Sequence, residues 1–226
     1  MRHVTSQLPV GRIKLVQASQ QRTTQRGISL VETLVAIVLG LAILAGVLKL
    51  MGMLTESNKT LLSVTRLEQD LRTVMDIMLQ DMRRANQYPQ AVANLGNPAQ
   101  FQLNQPSLPQ IDGQPLQSES NGSLISYAYQ EADGKVISGR FSHDVKAGTV
   151  LMHTGSASAP ETITDPAFMQ VTQLVFQADV TNVRAGTLNL MLPVIEISMT
   201  AQLKASPEIK RTLIDRVSWR NPLVSP

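Results

Sequence analysis

Cysteine is absent from the 226-residue chain, which excludes disulfide frameworks, thiolate zinc sites, iron–sulfur clusters and cysteine nucleophiles. Its absence leaves the compartment open, since exported chains can also do without it. Histidine is nearly absent. His3, His143 and His153 are the three in the chain, too few and too scattered for a histidine-rich metal site. Aromatic residues make up 4% and charged residues 16%, against 43% hydrophobic residues. That is too apolar for a disordered chain and low in charge for an average soluble domain. Acid is missing from one stretch in particular: residues 1–27 carry Arg2, Arg12, Lys14, Arg22 and Arg26 but no Asp or Glu. With those five cations set aside from a net charge of +3, the rest of the chain carries −2. The basic excess belongs to the first 27 residues, and a nucleic-acid reading of the remainder loses its main support.

Proline is missing from the whole interval between Gly27 and Pro89, and charge is missing from Thr33 to Leu48. Over Ile28–Leu48, Glu32 is the one charged residue. A helix across that span is about 30 Å long, the thickness of a bilayer core. The stretch is too long, and too apolar on every face, for a buried core helix. Five cations before it keep the N-terminus in the cytoplasm and send the C-terminal portion outward. A cleaved secretory signal would need a small-x-small site after the apolar run. That region reads Leu48-Lys49-Leu50-Met51-Gly52-Met53, a poor match.

The junction between leader and apolar segment reads Arg26-Gly27-Ile28-Ser29-Leu30-Val31-Glu32. It resembles the class III signal of type IV prepilins and type II secretion pseudopilins, with Ile28 in place of the commoner Phe. The resemblance implies cleavage between Gly27 and Ile28 by prepilin peptidase, N-methylation of Ile28 and retention of the apolar helix. Glu32 has a physical argument of its own. A carboxylate in a membrane helix costs about 2.5–3.5 kcal/mol at mid-bilayer and less near the interface. Cleavage would leave at Ile28 an α-amine that is mostly protonated near neutral pH. Glu32 then either pairs with that amine on a neighbouring subunit or lies at the interface without a partner. Gly27 directly upstream favours the pairing.

Beyond the apolar run the helix is expected to continue. Leu61, Val64, Leu67, Leu71, Val74, Met75, Met78 and Met82 recur at helical spacing as one core-facing stripe. Tyr88-Pro89 is expected to end it, since the residue before proline avoids helical geometry. Residues from Gln87 to Gly122 read as irregular connection with at most short strands. Ser123–Gln130 and Lys135–Ser142 read as strands joined by the turn Glu131-Ala132-Asp133-Gly134. Thr149–His153 is a third short strand. Gln170–Val180 and Thr187–Leu203 are longer, with a turn at Asn182–Gly186, and Pro193 marks an edge or bulge in the second. Ile209–Trp219 closes the sheet. Helix followed by mostly antiparallel sheet is an α+β pattern.

That order resembles the pilin fold. Asp81-Met82-Arg83-Arg84-Ala85 is similar to the helix ending of minor pilins of the PilW kind and of pseudopilin J, and Val217-Ser218-Trp219-Arg220-Asn221-Pro222 to their closing strand. Many PilW-like chains carry cysteine pairs in the exported domain; this one has none. The expected organisation is a leader over 1–27, an apolar membrane and assembly helix over 28–54, its amphipathic continuation over 55–88, and an exported mostly-β domain over 89–226.

Catalytic readings find little footing. His143-Asp144 beside Ser142, and His153, form no nucleophile elbow, metal-binding pair or phosphate loop. Asp112, Glu119, Asp133 and Asp165 lack calcium-loop spacing. Lys204, Lys210, Arg211, Arg216 and Arg220 cluster late in the sequence, but scarce aromatics and a slightly acidic mature chain favour a solvated sheet edge over nucleic-acid binding. No cofactor, metal or catalytic residue is expected. The resemblance implies a structural subunit that starts a type IV pilus, held first in the bacterial inner membrane and then in the filament. Its expected partners are prepilin peptidase, other minor pilins or pseudopilins, the major pilin and the inner-membrane assembly platform. A type II secretion pseudopilin of the J kind is the alternative, and a membrane-anchored periplasmic enzyme or binding protein the third reading.

Overall fold

A computed structural model describes residues 27–89, 109–155, 157, 159–185, 188–219, 221 and 223–225. The chain divides into two units, Met1–Met53 and Leu54–Pro226. Helix α1 (Leu30–Met82) begins in the first and ends in the second.

In the first unit the helical hydrogen-bond ladder opens at Ser29, whose carbonyl accepts the Thr33 N–H at 3.1 Å. With no proline, nothing breaks the hydrogen-bond ladder. Every residue from Gly27 to Met53 is exposed, large apolar side chains included. The helix is long and apolar enough to cross a membrane and is compatible with single-pass anchoring.

In the second unit the helix acquires a buried stripe: Leu67, Leu71, Val74, Met75, Met78, Leu79 and Met82. The stripe starts later than its periodicity indicates. Leu61 is 62% exposed and Leu62 71%, while Val64 is half-buried. Arg66 supplies the first side-chain bond from the helix to the strand-bearing part, a 3.2 Å ion pair with Asp165, so Leu61 lies before the first residue that the sheets reach. The helix also stops earlier than Tyr88-Pro89. After Met82 the turn tightens: the Arg84 and Ala85 amides bond the Asp81 and Met82 carbonyls at 3.0 Å. Asn86 takes the left-handed φ of 57°, which asparagine tolerates better than most residues. Its amide leaves the helix and bonds the Ala128 carbonyl at 2.8 Å. Pairing with a strand, rather than the proline, ends the helix.

The strands divide between two antiparallel sheets. The first runs in the order β2 (Gln114–Pro115), β1 (Gln110–Ile111), β4 (Leu124–Gln130), β5 (Val136–Asp144), β6 (Thr149–Thr154), β7 (Glu161–Thr162). The second runs β10 (Lys210–Ser218), β9 (Leu188–Leu203), β8 (Met169–Ala185), β3 (Asn121–Gly122), with β11 (Leu223–Ser225) also on β9. The expected hairpin turn at 131–134 is present. Gly134 has φ 87° and its amide bonds the Glu131 carbonyl at 2.9 Å. The long hairpin differs from expectation, because pairing continues from Val180↔Pro193 out to Ala185↔Leu188. The polar side chains of Thr181, Asn182 and Arg184 are exposed, so this segment reads as a turn by composition although it is strand. Gly186 and Thr187, part of that turn expectation, lie outside the described residues. Pro193 is neither on an edge strand nor at a bulge; the one register shift is between Val171 and Gln173. It sits where the second partner of β9 changes, with β10 beginning at Val194 and β11 at Met191, so its missing amide interrupts no continuous ladder on that side.

One core joins the helix stripe to the inner faces of both sheets: Ile125, Tyr127, Tyr129, Ile137 and Phe141 from the first, and Leu174, Phe176, Ile195, Ile197 and Met199 from the second. The architecture is α+β and pilin-like, a long N-terminal helix packed on antiparallel sheet. Leu71→Ala should destabilise the second unit by about 2–5 kcal/mol through transfer and cavity terms, whereas Leu61→Ala should stay within about 0.5 kcal/mol. Denaturant unfolding of the detergent-solubilised chain, followed by Trp219 fluorescence, measures both; equal losses would contradict the boundary of the buried stripe.

Candidate functional site

The residues singled out for processing lie together at the start of α1. Gly27, Ile28 and Ser29 precede the first helical residue, and Glu32 falls in the first turn. All four are exposed, Ile28 by 74%. An added Cβ on Gly27 would meet nothing within 4 Å, so the fold itself does not require glycine there. Glu32 makes no hydrogen bond or ion pair among the described residues. It stands near the positive end of the helix dipole, where a carboxylate is favoured. Ser29 and Glu32 have the spacing of a capping box, Ser-x-x-Glu. The sequence carries that signal, but neither of its two side-chain bonds forms among the described residues. The five leader cations and Arg26's junction with Gly27 lie outside the described residues.

At the other end of the helix, Asp81-Met82-Arg83-Arg84-Ala85 forms a clasp. Met82 and Ala85 are buried, and so is the Asp81 carboxylate. Asp81 accepts a short hydrogen bond from the Tyr127 hydroxyl and lies 3.4 Å from the Arg84 guanidinium. That guanidinium lies 4.3 Å over the Tyr129 ring and 4.0 Å from Glu131. A buried carboxylate is tolerable only with such partners. Gly139 stands opposite Tyr127 on β5, and any Cβ there would collide with the Tyr127 ring; the missing side chain gives the phenol room to reach Asp81. Burial first, and then the Asp81 charge, push the Tyr127 hydroxyl well above the ordinary tyrosine value. Burial also raises Tyr88, to about 12. The Asn86 and Asn221 side-chain amides each donate to the other residue's carbonyl, at 3.4 and 2.9 Å, tying the helix end to the closing segment.

His143, Asp144, Asp112, Asp133 and Asp165 take structural hydrogen bonds. The His143 ring nitrogen Nε2 bonds the Val171 carbonyl at 3.0 Å. Asp144 accepts the Lys146 and Ala147 amides at 3.0 Å in the β5–β6 turn. Asp112 accepts the Leu124 amide, Asp133 the Lys135 amide, and Asp165 the Ala167 amide. Glu119 lies apart from them with a left-handed φ of 70°. Among the described residues no three His, Asp or Glu side chains group to hold a metal ion. Of the late basic residues, Arg211 pairs with Glu68 at 2.9 Å and Arg216 with Glu196 at 2.6 Å, and Lys204 donates to the Pro166 carbonyl at 3.0 Å. Arg220 lies outside the described residues.

A family described as prepilin peptidase-dependent protein B has a model that matches residues 60–219. The matched interval starts beyond the apolar segment, takes in the Asp81–Ala85 clasp and runs through the second sheet to Trp219. Neither the curated proteins nor the solved structures yield a match.

The clasp has a pH signature. Tyr127 holds its proton more tightly folded than unfolded. The stability this confers is complete below pH ~10 and is lost as pH rises beyond it, by up to ~1.4 kcal/mol per pH unit. Tyr127→Phe should flatten that alkaline decline. At neutral pH it should cost about 1–3 kcal/mol, because Asp81 stays buried with one donor fewer. Urea unfolding between pH 7 and 11 measures both effects; an unchanged alkaline slope would show that Tyr127 does not carry it.

Proposed function

The chain belongs to the prepilin peptidase-dependent protein B family, a pilin-like structural family rather than an enzyme family, and on that premise we propose that it is a minor pilin that initiates assembly of a type IV pilus. The reading rests on one observation above the rest: α1 is uninterrupted from Leu30, three residues past Gly27, into the buried stripe of the family-matched unit. Cleavage after Gly27 therefore removes the basic leader and leaves the whole helix in place.

In this mechanism prepilin peptidase cuts the Gly27–Ile28 bond on the cytoplasmic side and the new Ile28 amine is N-methylated. The apolar half of α1 stores the subunit in the inner membrane, N-terminus inside and sheets outside, and then leaves lipid for a bundle of like helices. There the exposed Glu32 carboxylate pairs with a neighbour's Ile28 amine, in surroundings where each charge needs the other. The neighbours are other minor pilins and the major pilin, gathered on the inner-membrane platform. The same scheme would serve a type II secretion pseudopilin of the J kind; the Asp81-Met82-Arg83-Arg84-Ala85 ending favours the pilus.

Glu32→Gln tests the scheme. Insertion and cleavage should persist, since the substitution removes a membrane charge and leaves Gly27 intact. Assembly should fail, because removing one member of a low-dielectric pair costs about 3–5 kcal/mol. The readout is recovery of crosslinked neighbouring subunits with the processed mutant. Undiminished recovery would leave Glu32 as a recognition element for processing or as a bystander at the interface.

A further inference from the structure

The outer face of the first sheet carries positive charge that neither the fold nor the assembly reading uses. Arg140 on β5 stands opposite His153 on β6. On its other side it faces Ser126 of β4, which in turn faces Gln110 of β1. The row Gln110, Ser126, Arg140, His153 thus crosses four strands on one face. It borders a hollow of about 460 Å³, to which Ser138 and Gly139 also contribute and no Asp or Glu does. Arg140 is exposed and His153 half-buried. Among the described residues neither side chain has an ion pair or a hydrogen bond, whereas Arg211 and Arg216 of the second sheet are both neutralised.

We propose that this hollow binds a carboxylate. The guanidinium is a planar fork that matches two carboxylate oxygens. The imidazole, the Ser126 and Ser138 hydroxyls and the Gln110 amide are further donors at the rim. Arg140 is the one permanent cation lining the hollow, which matches a singly charged carboxylate better than a dianionic phosphate. Small side chains at Ser126 and Ser138 leave the space that the ligand fills. The donors sit on paired strands, so their spacing is fixed before the ligand arrives. The inference is independent of the assembly reading.

The test is a titration of the full-length protein in nonionic detergent micelles at pH 7 and constant ionic strength. The probe is sodium acetate, with sodium chloride and inorganic phosphate as comparison arms. The His153 ring resonance is followed; with three histidines in the chain, His153→Gln assigns it. Acetate should shift it saturably. Arg140→Gln should weaken the apparent affinity at least about tenfold, while Arg184→Gln, an exposed cation outside the row, should leave it unchanged. A shift linear in acetate, matched by chloride, or indifferent to Arg140→Gln would overturn the site. Saturation by phosphate but not by acetate would overturn its assignment to carboxylates.

Discussion

Burial of one stripe of α1 is the constraint on which the rest of the second unit depends. Leu67, Leu71, Val74, Met75, Met78, Leu79 and Met82 are nearly inaccessible, and each such side chain stabilises by roughly 1.5–3 kcal/mol when fully buried. A helix tail of this length is marginal alone in water, so the sheets hold it as much as it holds them. The two sheets share no long ladder; their inner faces converge on this stripe, and the helix thereby makes one core of two sheets. The same helix is apolar all round before Leu54, where no sheet covers it. One continuous element thus passes from uniform apolarity to a single buried stripe, a change compatible with single-pass membrane anchoring of its first half.

The clasp at the helix end explains why that stripe is followed by charge. Asp81 is a buried carboxylate at the edge of an apolar core, an arrangement that destabilises unless every partner is in place. Tyr127 and Arg84 are those partners, and Arg84 is held in turn over Tyr129. Tyr127 and Tyr129 are on β4, the strand that also receives the Asn86 amide. Helix termination, strand pairing and ion pairing are therefore a single event, with fixed register between helix and first sheet. Loss of any member leaves the carboxylate short of a donor, which favours one docking of the helix over slipped alternatives.

Local patterns were legible in the sequence and long-range pairings were not. The apolar segment, the 131–134 turn and most of the strands follow from composition and period, whereas the reading of the Gly27–Glu32 junction rests on a resemblance. Leu61 shows the limit of period: it continues the helical spacing of the stripe, yet no sheet reaches it. Proline is a local signal and points to Tyr88-Pro89 as the helix end, whereas the operative cause is Asn86 pairing with Ala128. Asp81 and Tyr127 are 46 residues apart, and nothing in either neighbourhood announces the other. Division into two sheets is likewise a matter of which strands pair, and alternation fixes faces but not neighbours. The capping-box spacing of Ser29 and Glu32 is evident only once the helix start at Leu30 is located.

The central claim is that Gly27 ends a removable leader and that the helix beyond it is kept. The most direct measurement is the intact mass of the protein extracted from its native membrane, compared between cells with and without prepilin peptidase. The account predicts a chain beginning at Ile28 and carrying one added methyl group in the first case, and the chain with its leader in the second. The same mass in both would contradict it.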